Sequence, residues 1–232
     1  MKRVLPIVLL GLALAGGLAY GVRSHRLEPP AAEGPVTSVP PATSAPGGDT
    51  TDQRVIPGER VGPVTPQTSR ADLAAIYGEA ALRDSDIDMG EGFTEAGTVV
   101  NPGSDHQFAV VWQDATRRDR PSLVRDFGPA WRTPEGLGIG VTYATVKAAL
   151  GDFQIYGFAW DYGGTIDLKG SQLEHYDNQL MLRMPPAEGA ADAHQQAYET
   201  VMGDALFDGD HPALGQLDLS VHEMVVYFDP AP

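Results

Sequence analysis

The chain has 232 residues, 31 acidic side chains against 16 basic ones, a formal net charge of −15 and no cysteine. Such a surface repels phosphate backbones and anionic headgroups, which excludes nucleic-acid binding and a polybasic membrane anchor. Without thiols there is no disulfide framework, no Cys-ligated zinc or iron–sulfur centre, no thiol nucleophile and no lipidated N-terminal cysteine.

Residues 1–26 read as a leader. Lys2 and Arg3 precede an uncharged run from Val4 to Val22, and Arg23, His25 and Arg26 close it. As a helix the run is roughly 28 Å long, about the thickness of a bilayer core. Two readings stand: a signal peptide cleaved after Ala13-Leu14-Ala15, or an uncleaved membrane anchor through residues 4–22. Either one exports the rest of the chain and places it on the extracytoplasmic, periplasmic side. Residues 27–53 interleave Pro29, Pro30, Pro35, Pro40, Pro41 and Pro46 with Ala, Ser, Thr and Gly. No periodic apolar pattern runs through them, so they are expected to form a disordered spacer.

Residues 54–232 are expected to form one exported α+β domain. Ser69-Arg-Ala-Asp-Leu-Ala-Ala-Ile-Tyr-Gly78 aligns without a gap on Thr142-Tyr-Ala-Thr-Val-Lys-Ala-Ala-Leu-Gly151. Ser69 and Thr142 stand where an N-cap hydroxyl accepts from free first-turn amides. Leu73, Ile76 and Tyr77, and Val146, Ala149 and Leu150, give the helical apolar stripe, and Gly78 and Gly151 end each helix. Short extended stretches, Val61–Val64 and Leu137–Val141, precede the two helices. Gly97–Val100 and Phe108–Trp112 flank Asn101-Pro-Gly-Ser-Asp105, a hairpin signature. After the second helix, strands are expected at Gln154–Trp160, Thr165–Leu168 and Gln179–Met184. A helix over Ala187–Leu206 comes next, then a strand over Val221–Phe228 with Met224, Val226 and Phe228 on one face. The pattern is strand, helix and hairpin written twice (about 54–116 and 131–186), with a C-terminal helix and strand over 187–228. An antiparallel sheet with helices on one face is the expected fold.

Gly136-x-x-x-Gly140-x-Thr142, leading into a capped helix and then a hairpin, resembles the repeat of small outer-membrane assembly lipoproteins of the SmpA/OmlA type. The tandem arrangement is similar to the β-lactamase-inhibitor-protein architecture. Asp86–Val100 and Gly157–Thr165 resemble an uncharacterised family of exported bacterial proteins. The lipoprotein resemblance departs at the missing cysteine. It implies a periplasmic binding or scaffold role and brings no activity with it.

Two candidate sites come from the residues themselves. Asp84, Asp86, Asp88 and Glu95 have the spacing of the oxygen ligands of an EF-hand calcium loop, although Met89 stands where the sharp-turn glycine belongs. Calcium binding over Asp84–Glu95 is therefore the alternative function; its plain counterpart is a solvated acidic loop. Tyr156, Phe158, Trp160 and Tyr162 alternate along an expected strand. Tyr156 and Phe158 are expected in the core, and Trp160 and Tyr162 beside Gly163-Gly164 as a partner-binding patch. The six histidines form no His-Glu-x-x-His, and Asp208-Gly-Asp-His211 reads as an acidic turn. There is no nucleophile elbow, P-loop or strand-linked dinucleotide fingerprint. No catalytic residue, metal ligand or cofactor is assigned. From Gly151 onward 14 acids face two bases, Lys169 and Arg183, a surface suited to solubility or to steering a basic partner. The expected role is a non-enzymatic envelope protein that binds another envelope protein; a carboxylate-based hydrolase has no motif behind it.

Overall fold

Both glycine-stopped repeats form helices in the computed structural model, which describes residues 49–229. The expected leader and most of the proline-rich spacer lie outside the described residues. Among those described, no helix is long and apolar enough to cross a membrane. The chain opens with a small pair, β1 (Val55–Ile56) and β2 (Arg60–Val61), before α1 (Arg70–Tyr77). Four strands come after it: β3 (Leu82–Gly90), β4 (Phe93–Val100), β5 (Phe108–Trp112) and β6 (Pro121–Arg125). Next come α2 (Tyr143–Leu150), β7 (Gln154–Tyr156), β8 (Ile166–Asp167) and β9 (Leu180–Arg183). The chain closes with α3 (Ala190–Ala193), α4 (Gln195–Thr200), β10 (Leu206–Asp208) and β11 (Glu223–Tyr227).

The expected α+β class holds. The main sheet has six antiparallel strands in the order β3-β4-β5-β6-β11-β9, and β10-β7-β8 form a second, smaller sheet. Strand alternation gives the main sheet two chemically different faces. Val100, Phe108, Val110, Val124, Leu182, Met224 and Val226 point inward to one core, which also takes Leu73 of α1 and Val146 and Leu150 of α2. The helices thus lie on one face, as the apolar stripes require. The outer face carries Ile87, Val99, Ala109, Val111, Leu123 and Val225, buried without a helix over them among the described residues. Their cover comes from the long side chains of Met89, Met181 and Tyr227.

Local chemistry explains the two helices unequally. At α1 the Ser69 hydroxyl accepts from the Asp72 amide while the Asp72 carboxylate accepts from the Ser69 amide, a complete capping box. Thr142 has the same backbone shape at α2, but its hydroxyl makes no cap bond and turns to Thr145. Gly78 and Gly151 both take positive φ at the helix ends.

Four expectations are corrected. The two halves match only as a helix followed by antiparallel strands: β4–β5 extends the main sheet, whereas β7–β8 builds the smaller sheet with β10. Leu137–Val141 is not a strand, and Val61–Val64 is a tight bridge rather than an extended run. The 187–206 helix is two short helices. It stops at Thr200 because the Val201 carbonyl accepts from Phe158 and the Gly203 amide donates back to Phe158, drawing the chain into extended pairing. The Asp84–Glu95 calcium loop is a β-hairpin, because the carboxylates fall at alternate positions of β3 and the chain reverses at Glu91-Gly92. Both turn residues have positive φ, as a two-residue hairpin turn demands.

Candidate functional site

Asp84, first of the calcium-loop carboxylates, belongs to the scaffold. Arg70 Nε and Arg118 Nη1 reach it at 3.0 and 2.8 Å, and Thr98 donates to it at 2.7 Å while accepting from the buried Trp112 indole. Desolvation alone pushes the Asp84 carboxyl up, but the Thr98 hydroxyl and the two guanidiniums prevail and hold it below the ordinary range. Asp88 caps its own turn by accepting from Gly90. Among the described residues, no group of three or more His, Cys, Asp or Glu side chains has a metal-holding arrangement.

The outer face of the main sheet provides a different site. The β3–β4 hairpin is longer than its neighbours and curls over this face, aided by a bulge between Asp88 and Gly90. Gly97 permits the curl: a Cβ there would press on Ile87 Cγ1 and stand 2.7 Å from the Val110 carbonyl oxygen. The hairpin tip brings Met89 Sδ to 3.7 Å from Arg125 Nη1 on β6. Between the tip and the 160–165 turn lies a groove of about 560 Å³. Leu123, Met181, Val225 and Tyr227 make its apolar floor, with Phe93 and Tyr162 among the other lining residues.

Three charges cross that floor on adjacent strands. Arg125 Nη2 holds Glu223 Oε1 at 2.8 Å, and Arg183 Nη1 approaches Glu223 Oε2 at 3.6 Å. Arg125 also reaches Asp126 at 3.1 Å, and Arg183 donates to Thr165. The guanidiniums are thus largely committed to protein partners. Asp88, Glu91 and Asp161 line the same groove, and among the described residues no cation lies within ion-pair distance of them. Burial, reinforced by Glu223, raises the Tyr227 phenol above its usual value.

The aromatic row does not share one strand face. β7 ends at Tyr156, because the amides of Gly157 and Phe158 turn away to Ala205 and Val201, and Ala159 takes a φ of 71°. Phe158 enters the core, stacked on Tyr198 at 5.9 Å. Tyr156 is half-buried, its ring 5.7 Å from that of Tyr162. Trp160 and Tyr162 are 63% and 60% exposed on a turn closed by bonds from Gly163 to Trp160 and from Thr165 to Tyr162.

These residues belong to a larger patch. Among the described residues five large apolar side chains are exposed: Phe93, Trp160, Tyr162, Met202 and Leu206. Three of them, Leu206, Tyr162 and Phe93, are linked through Tyr156 and the groove, and Trp160 stands two residues from Tyr162 on the same turn. Leu206 is the register partner of Tyr156, the Tyr156 and Tyr162 rings lie 5.7 Å apart, and Tyr162 and Phe93 line one groove; Met202 bridges by its backbone to the buried Phe158. Sequence reasoning missed Phe93, Met202 and Leu206. It also missed Arg125, Arg183, Glu223 and Tyr227 as one ensemble. The alternation of β11 offered part of the signal, since placing Met224 and Val226 inward turns Glu223, Val225 and Tyr227 outward.

No family model matches the chain, and no curated protein matches it. Among solved structures, the chain is similar to the uncharacterized protein YfeY from Escherichia coli at 13% identity and a TM-score of 0.40. The match covers 73% of this chain and 97% of that one. The likeness carries no reading of the site.

Proposed function

We propose that the chain is a non-enzymatic binding module of the cell envelope. Residues 4–22 export it or tether it to the membrane, residues 27–53 space it away, and its outer face receives another envelope protein. The carrying observation is the run of exposed apolar side chains from Phe93 through Tyr162 and Tyr156 to Leu206, with exposed Trp160 on the same turn as Tyr162. Isolated exposed apolar residues are ordinary, but connected ones on a charged protein mark an interaction surface. Trp and Tyr bring large contact area at low entropy cost. The groove chemistry is compatible with binding: an apolar floor rimmed by carboxylates. Glu223 is clamped by Arg125, and the remaining lining carboxylates, Asp88, Glu91 and Asp161, are free among the described residues to meet a partner's cations. The test is capture from native envelopes with the full chain, using Trp160→Ala/Tyr162→Ala as control. The reading expects one discrete protein recovered by the natural chain and lost by the double variant. Equal recovery by both, or by neither, overturns it.

A further inference from the structure

We propose that the patch takes an extended segment of its partner in which lysine or arginine alternates with apolar side chains. This rests on the binding role proposed for the same face and names the chemistry of the occupant. The apolar half of the recognition is the groove floor with Phe93 and Tyr162 beside it. The charged half is the surrounding field. Asp88, Glu91 and Asp161 line the groove with no cation in ion-pair reach among the described residues. The two guanidiniums below them are already bonded to Glu223, Asp126 and Thr165, so little positive charge is left for an acidic ligand. The rest of the patch comes from the part of the chain in which 14 acids face two bases. An acidic partner, or a second copy of this chain with its charge of −15, would meet like charge at Asp88, Glu91 and Asp161.

The backbone argues for an extended occupant. β10 is the outer strand of the small sheet, and Leu206, one of the exposed patch residues, sits on it. A strand laid along that edge would find backbone donors and acceptors and could place alternate side chains on the patch. In an extended segment successive side chains point to opposite sides. One set can therefore rest on the apolar patch while its basic neighbours stay within reach of the surrounding carboxylates.

Trp160 supplies the readout, because the other two tryptophans, Trp112 and Trp131, are only 3% and 2% exposed. The full chain in non-ionic detergent is titrated with short peptides of alternating lysine–valine, glutamate–valine and lysine–glycine while Trp emission is followed. The lysine–valine peptide shifts the emission to the blue and binds roughly tenfold more weakly at high than at low salt; the other two do not bind. Asp88→Asn/Glu91→Gln/Asp161→Asn weakens that binding about tenfold, and Asp105→Asn, in the turn between β4 and β5, leaves it unchanged. Binding of glutamate–valine as tight as lysine–valine overturns the basic occupant while leaving the patch as a docking surface. Binding of lysine–glycine as tight as lysine–valine overturns the apolar half. Absence of any emission change with all three peptides overturns the proposal as a whole. The envelope capture decides the binding role independently.

Discussion

Gly97→Ala tests whether the curl of the β3–β4 hairpin builds the groove. Gly97 lies on the outer face of β4, and β4 is paired on both sides, with β3 and with β5. The added methyl would press on Ile87 Cγ1 and stand 2.7 Å from the Val110 carbonyl oxygen. Ile87 can yield by rotating, but the Val110 carbonyl belongs to the central ladder and cannot. Overpacking against a fixed backbone costs about 1–3 kcal/mol, and we expect the upper half of that range. For a domain of this size each kcal/mol lowers the melting temperature by about 2–4 °C, so a loss of about 5–10 °C is expected. Far-UV circular dichroism of the full chain in detergent measures it. Ile87→Ala in the same chain should recover only part of the loss, because it removes one of the two collisions. A change within about 1 °C for Gly97→Ala would refute the reasoning: the strands would have separated freely, and the curl would owe nothing to the missing side chain.

The same geometry sets other expectations. Ser69→Ala should cost about 1 kcal/mol through its capping box, whereas Thr142→Ala, which makes no cap bond, should stay below about 0.5 kcal/mol in paired urea titrations. Asp84→Asn should cost about 1 kcal/mol at neutral pH, a figure kept low because its side chain is 39% exposed. Because the Asp84 carboxyl is depressed in the folded chain, its stabilisation is complete above the unfolded value near 4 and lost as pH falls through the folded value. The stability gap between the natural chain and Asp84→Asn should therefore close in acid, and a gap that widens in acid would contradict the sign. Phe158→Ala should cost about 3–4 kcal/mol as a core truncation, with unfolding read by near-UV circular dichroism.

What was legible in the sequence shared one property: the signal was local. Ser69 with its capping box, Asn101-Pro-Gly between two β-rich runs, and the alternation around Met224 and Val226 each carry their physics within a few residues. β3 was hidden because Asp-Ser-Asp-Ile-Asp has poor strand propensity and the spacing of calcium ligands; pairing with β4 overrides that propensity. β6 was hidden between Arg120 and Asp126 for a similar reason, and tertiary burial of Leu123 and Val124 decides it. The aromatic row misled because alternation assumes an unbroken strand. Pairing of Gly157 and Phe158 with distant residues ends the strand and divides the row: Phe158 enters the core, Tyr156, expected there too, is half-buried, and Trp160 and Tyr162 are exposed. The groove was illegible in principle, since its floor is assembled from strands near residues 123, 181 and 225, and only the folded sheet sets them side by side. Trp160 and Tyr162 were legible as candidates because a Gly-Gly turn comes directly after them; their partners Phe93, Met202 and Leu206 were not.

The central claim is that the outer face around Tyr162 is where this protein meets another. A photoreactive phenylalanine analogue placed at position 162 in the full chain, and separately at position 105, tests it in intact cells. The account predicts one discrete protein adduct from position 162 and none from position 105. Identical adducts from both positions, or an adduct from position 105 alone, would contradict it.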